Sequence, residues 1–233
     1  MTASADLWVL VPAAGSGRRM GISQPKQYLQ IQGKTVLEIT LAKLLSVPGI
    51  RSVVVALAEN DPYFATLSLS GNIHTVTGGA ERADSVFQGL SYILEHGRKE
   101  DWVLVHDAAR PCVRPDNIRR LIEKVLQENC GAILAAPVSD TLKKADGENI
   151  SHTVSREYLW AAHTPQMFRV GELHAALRKA LENSLPVTDE ASAIELAGGR
   201  VMLVADSRDN IKITQPEDLP LAEIILHQQI SAE

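Results

Sequence analysis

Six continuous apolar runs punctuate the sequence: Leu7–Val11, Val53–Leu57, Ile73–Val76, Trp102–Val105, Ala132–Ala136 and Val201–Val204. Each has the length of a strand, and none alternates polar with apolar residues. Strands buried on both faces have this pattern. Helical patterns lie between the runs. Leu37, Leu41, Leu44 and Leu45 repeat at helical spacing until Pro48-Gly49 stops them, and residues 82–95 and 115–128 are amphipathic, the second opened by Pro115 and Asp116. Alternating strands and helices predict an α/β fold: a mostly parallel, doubly wound sheet joined by right-handed crossovers. No repeat or low-complexity linker divides the 233 residues, so residues 1–233 are expected to form one domain.

Residues 138–158, VSDTLKKADGENISHTVSREY, break the rhythm. They are polar and turn-rich, and Asp146-Gly147 between extended flanks signals a β-hairpin. Such a hairpin is either a mobile flap or an arm that pairs with a second subunit. Further on, Thr214 and Glu217 have capping-box spacing for a last helix. Pro220 would break that helix's interior, so a kink or a late start is expected there.

The first strand runs into PAAGSGRRMGISQPKQY, residues 12–28. Gly15 and Gly17 in a strand-to-helix turn allow backbone N–H groups to approach phosphate oxygens. A tight turn without a ligand is the bland alternative. Arg18, Arg19 and Lys26 crowd the same stretch, and cations so close repel one another unless an anion lies between them. Met20 occupies the third glycine position of a dinucleotide fingerprint, and no GxxxxGK[ST] string occurs. The loop therefore belongs to neither of those phosphate-binding types.

The net charge of −5 and pI of about 5.8 do not favour nucleic acid or an anionic membrane as partner. An anionic ligand then needs a local basic pocket. Cys112 and Cys130 lack metal-ligand spacing, which fits a reducing cytoplasm. The N-terminus has neither the basic segment nor the apolar length of a signal or a membrane span. A cytoplasmic location is expected.

AAGSGRRM followed by PKQ resembles the signature of nucleotidyltransferases that join a nucleoside triphosphate to a sugar phosphate. GGAERADSV (78–86), HDAARP (106–111), TPQMF (164–168), VTDEAS (187–192) and NIKITQPEDL (210–219) follow in order. Together these stretches resemble the 2-C-methyl-D-erythritol 4-phosphate cytidylyltransferase family of the non-mevalonate isoprenoid pathway. The resemblance implies a Rossmann-like nucleotidyltransferase fold with a protruding arm at 138–158, through which the family forms homodimers. It implies CTP and methylerythritol phosphate as substrates, with Mg²⁺.

Carried over by position, Pro12, Ala13, Ala14, Gly15 and Gly17 would wrap the triphosphate, and Gly79, Ala80 and Ser85 would seat the cytosine. Arg19 and Lys26 would steady the attacked α-phosphate. Lys212, and Arg156 delivered from a partner subunit, would hold the incoming phosphate. Thr188, Thr164 and Thr141 are implied on the acceptor side. For each of these hydroxyls a purely local role is the alternative, and Lys212 alternating with Ile211 and Ile213 would otherwise be a solvent-facing strand residue. Asp107, just past the fourth apolar run, stands where ligands bind in open α/β sheets and could hold Mg²⁺. Its alternative is capping a turn. Arg110 either binds the acceptor phosphate or pairs with Asp107. The nearest rival is a ribitol 5-phosphate cytidylyltransferase, which NIKITQPEDL and VTDEAS argue against.

Overall fold

The first apolar run becomes β1 (Leu7–Ala13), and both of its edges are taken by parallel neighbours. The structure, a computed structural model, describes residues 5–15 and 24–231; the expectations for Gly17 and Arg19 lie outside these residues. In chain order follow the short strands β2 (Gln30–Ile31) and β3 (Lys34–Thr35), α1 (Val36–Leu45), β4 (Ile50–Leu57), β5 (Ile73–Thr77) and α2 (Arg82–His96). The second half contains β6 (Trp102–Val105), α3 (Pro115–Glu128), β7 (Ala132–Pro137), β8 (Leu142–Asp146), β9 (Asn149–Val154) and β10 (Trp160–Arg169). It ends with α4 (Val170–Glu182), α5 (Glu190–Leu196), β11 (Met202–Ala205) and α6 (Asp218–Ser231).

Seven strands form one sheet in the order β11-β7-β10-β6-β1-β4-β5. All pairings are parallel except those of β10, which runs antiparallel to β6 and β7. The sheet is thus mostly parallel and flanked by helices. Successive β1 residues face opposite layers. Val9 and Val11 pack with Leu41 of α1 and Leu121 of α3, whereas Trp8 and Leu10 pack with Leu90 of α2 and Leu173 of α4. α2 lies close to β1 because Gly89 has no side chain: a Cβ there would stand 2.2 Å from Leu10 Cδ1.

One strand departs from expectation, and the last helix shows the late start expected of it. β10 is absent from the apolar runs because its sequence, WAAHTPQMFR, is interrupted by polar residues and Pro165. Its pairing with β7 shifts register between Ala162 and Gln166, and such an irregularity accommodates a proline. At α6 the capping acid is Asp218, one residue beyond Glu217. Asp218 Oδ2 accepts from the Thr214 and Gln215 N–H groups at 2.7 and 2.8 Å. The helix therefore starts late, and Pro220 falls in its first turn, where an N–H has no intrahelical acceptor.

β8 and β9 form the expected hairpin, a separate two-stranded sheet with Gly147 at φ +59° leading its turn. It is almost wholly exposed, and its base is tied where the Val138 N–H donates to the Leu159 carbonyl at 3.0 Å. Among the described residues no helix is long and apolar enough to cross a membrane.

Candidate active site

A cavity of about 310 Å³ opens beyond the carboxyl ends of β1 and β6, the place where open parallel sheets bind ligands. Its walls come from five stretches of the chain. Pro12, Ala13, Ala14 and Gly15 continue β1; Gly79, Ala80 and Ser85 belong to the turn into α2; Asp107 follows β6; Lys26 and Lys212 enter from opposite ends of the chain.

Local chemistry explains each wall. Gly79 must lack a side chain, since a Cβ would fall 2.2 Å from Asp84 Cβ. Its N–H donates to Ser85 Oγ at 3.1 Å, and Ser85 Oγ donates to the Glu81 carbonyl at 3.1 Å. Ser85 is therefore a buried brace of this turn rather than a helix-surface hydroxyl. The chain after β1 is held by Gln27, whose Nε2 donates to the carbonyls of Ala13 and Gly15 at 2.7 and 3.2 Å. Lys26, beginning a 3-10 turn, donates from Nζ to the Ile213 carbonyl at 2.8 Å. The Ile213 N–H in turn donates to the Ala109 carbonyl at 2.9 Å, so the segment carrying Lys212 lies against the loop after β6.

Asp107 is the electrostatic centre. Oδ1 accepts from Arg82 Nε at 2.9 Å, and Oδ2 lies 2.8 Å from Lys212 Nζ and 3.4 Å from Arg110 Nε. Burial by itself would raise this carboxyl's pKa. Arg82, Lys212 and Arg110 overcome that and hold it far below the usual carboxylate range. Arg82 also forks onto Glu190 with bonds of 2.6 and 3.0 Å, and Glu190 is only 1% exposed at the start of α5. An ion-pair chain Lys212–Asp107–Arg82–Glu190 thus runs from the segment after β11 to α5.

This arrangement bears on a protein-held Mg²⁺. Both oxygens of Asp107 are already committed to cations, and the described residues contain no cluster of three or more carboxylate, His or Cys side chains suited to a metal. A divalent ion on Asp107 would meet Arg82, Lys212 and Arg110, and Glu81 is the other acid lining the cavity.

The remaining expected residues divide. Arg110 is the partner of Asp107 and donates from Nη1 to the Asn210 carbonyl at 2.6 Å, which matches the ion-pair alternative. Thr164 is buried, and its hydroxyl is used internally: Oγ1 accepts from the Asp107 N–H at 3.0 Å and lies 3.1 Å from His106 Nδ1. These bonds give the hydroxyl a local role beside the cavity. Thr188 is exposed just before Asp189, the N-cap of α5, which accepts from the Ser192 N–H at 2.9 Å. Thr141 and Arg156 lie on the exposed hairpin, away from the residues that line this chain's cavity; Arg156 donates to the Ser139 carbonyl.

Gln27, Arg82 and Glu190 were not singled out by sequence reasoning. Arg82 and Glu190 stand in two of the quoted motifs as charges of opposite sign, which is the signal that could have paired them.

The model of the 2-C-methyl-D-erythritol 4-phosphate cytidylyltransferase family matches residues 7–228. A relative of that name from Aliivibrio fischeri (strain MJ11) is 51% identical over 231 residues, covering 98% of this chain and 97% of its own. Another, from Vibrio parahaemolyticus serotype O3:K6, is 54% identical over 223 residues, covering 94% and 95%. A crystal structure of 4-diphosphocytidyl-2C-methyl-D-erythritol synthase is 36% identical and superposes with a TM-score of 0.84 over 96% of this chain and 99% of that one. The Francisella tularensis 2-C-methyl-D-erythritol 4-phosphate cytidylyltransferase, also 36% identical, gives 0.83 over 95% and 100%. The chain belongs to the 2-C-methyl-D-erythritol 4-phosphate cytidylyltransferase family.

Proposed function

We propose that this cavity is where the cytidylyl group of CTP passes to 2-C-methyl-D-erythritol 4-phosphate, giving 4-diphosphocytidyl-2-C-methyl-D-erythritol and pyrophosphate. The observation that carries the reading is the meeting of Lys26 and Lys212, from opposite ends of the chain, in one cavity of small-molecule size at the carboxyl edge of the sheet. The acceptor phosphate is ionised at neutral pH and needs no general base. Its oxygen attacks the α-phosphorus in line, the α-phosphorus–oxygen bond to the β-phosphate breaks, and pyrophosphate leaves with the electron pair. The chain contributes positioning and charge stabilisation, as in phosphoryl transfer generally.

In this scheme Lys26 and Arg19 neutralise charge at the α-phosphate, and the Gly79–Ser85 turn seats the base. Pro12, Ala13, Ala14, Gly15 and Gly17 approach the triphosphate through their backbone. Lys212 exchanges Asp107 for the acceptor phosphate, while Arg82 and Arg110 keep Asp107 neutralised. Thr188 faces the acceptor. Asp107 would be the residue to hold Mg²⁺, which would neutralise charge on the triphosphate.

The chain is proposed to act in the cytoplasm as a homodimer whose hairpin reaches over a second subunit, bringing Arg156 and Thr141 to that subunit's acceptor. Exposed apolar groups along and beside the hairpin support this: Ile150 is 65% exposed and Tyr158 88%. The stereochemical course tests the mechanism. With CTP carrying a chiral α-thiophosphate, one in-line displacement predicts inversion at phosphorus. Retention would mean a covalent intermediate and overturn the scheme.

A further inference from the structure

A second cavity, of about 750 Å³, opens between α1, the start of α3 and α6 beside the β2–β3 hairpin. It shares no lining residue with the catalytic cavity. Lys34, Lys43, Arg114 and Arg119 line it against a single acid, Asp116. Counting Asp209, which pairs with Arg114 beside the cavity, the local excess is two positive charges in a chain of net charge −5.

Three of the cations are held in place, Arg119 by its ion pair with Asp116. Arg114 directs Nε and Nη2 at Asp209 Oδ2, at 3.0 and 2.5 Å, and a guanidinium has five N–H groups, of which this pair uses two. Lys43 donates to Gln229 Oε1, and Gln229 is itself buried, with Nε2 donating to the Cys112 carbonyl at 2.9 Å. Side chains fixed in this way lose little freedom when an anion arrives. Part of the remaining wall is apolar: Ile31 and Leu226 are buried core residues, with Ile39 half-buried beside them.

Basic groups beside an apolar stretch of wall suit a molecule with an anionic head and a hydrocarbon tail. The concave shape and volume lie in the small-molecule range, where a membrane surface would demand an exposed apolar face. We propose that this cavity is a second ligand site, for a soluble phosphate or diphosphate ester of a short aliphatic chain. The proposal is independent of the catalytic reading.

Pentyl diphosphate is the probe, followed by calorimetry and by methyl NMR of the full chain. One equivalent is expected to bind, shifting the methyl signals of Ile39 and Leu226. Binding should persist in Lys26→Ala/Lys212→Ala, which alters only the catalytic cavity. Lys34→Glu/Arg119→Glu, two exposed positions, should weaken it by roughly tenfold or more. Inorganic pyrophosphate should bind more weakly than the ester, because it lacks the tail. Binding that disappears with Lys26 and Lys212, or that ignores Lys34 and Arg119, would overturn the proposal. So would association with phosphatidylglycerol vesicles and none with the soluble ester.

Discussion

Lys212 Nζ lies 2.8 Å from Asp107 Oδ2, an ion pair closed between the segment after β11 and the loop after β6. Asp107 answers three cations at once, and removing its charge leaves all three close together without their shared counter-ion. Asp107→Asn is expected to lower stability by about 3 kcal/mol, the scale for breaking a buried pair on one side. The pH dependence has a definite sign. The folded pKa is depressed, so the contribution is present above the unfolded value of about 4 and is lost as pH falls below it. Urea denaturation from pH 7 to pH 3 should show a steeper acid decline in the native chain than in Asp107→Asn. Parallel curves would contradict the network.

Lys26 should matter to the transition state more than to binding. Lys26→Ala is expected to reduce kcat by roughly 10²–10⁴, as loss of one preorganised electrostatic partner does. Steady-state kinetics decide the matter. An unchanged kcat with a raised KM would limit Lys26 to ground-state binding.

His106 is fully enclosed, and burial pushes its pKa down to about 4 against the opposing charge of Asp107. Its Nε2 lies 3.1 Å from the Arg110 carbonyl and its Nδ1 3.1 Å from Thr164 Oγ1, contacts that suit a neutral ring with the proton on Nε2. The unfolded chain takes up this proton near pH 6.5 and the folded chain only near 4. The stability tied to His106 is therefore full above about pH 6.5 and falls away as pH drops toward 4. In NMR, the ring signals of His106 should stay constant from pH 8 to pH 5. A midpoint near 6.5 would show an open, solvated ring.

Much of the sheet was legible because strands buried on both faces must be continuously apolar, as β1, β6, β7 and the Val53–Leu57 part of β4 are. β10 was hidden by His163, Thr164 and Pro165, whose place in the sheet depends on tertiary pairing with β6 and β7. In the cavity, Lys26 and Lys212 could be found through their motifs. Arg82 and Glu190 stand in quoted motifs too, but a charge in a helix's first turn is usually solvated, and nothing local pairs one with the other. Only the approach of the α2 and α5 ends turns these two into a buried fork. The hydroxyl of Thr164 could equally have faced a ligand, and its bonds to the Asp107 N–H and His106 exist only once β10 is beside β6.

Packing makes its own prediction. Gly89→Ala would drive a methyl group into Leu10, and overpacking of this kind costs about 1–3 kcal/mol. Denaturation should register that loss while kcat of the remaining folded protein stays within about twofold, because neither residue lines the cavity. A neutral effect on stability would mean α2 can shift off β1.

If Arg156 acts across a dimer, inactive Arg156→Ala and inactive Lys26→Ala chains should restore one another. Mixed, verified heterodimers are expected to recover about a quarter to a half of native activity, since one composite site regains both groups. No recovery would place each hairpin over its own subunit's cavity.

The most direct measurement of the central claim is pyrophosphate release by the purified chain with Mg²⁺, CTP and 2-C-methyl-D-erythritol 4-phosphate. Ribitol 5-phosphate would serve as the rival acceptor, and UTP, GTP and ATP as rival nucleotides. Release confined to CTP with the methylerythritol phosphate is the predicted result. Release with ribitol 5-phosphate in its place, or none with any pair, would contradict it.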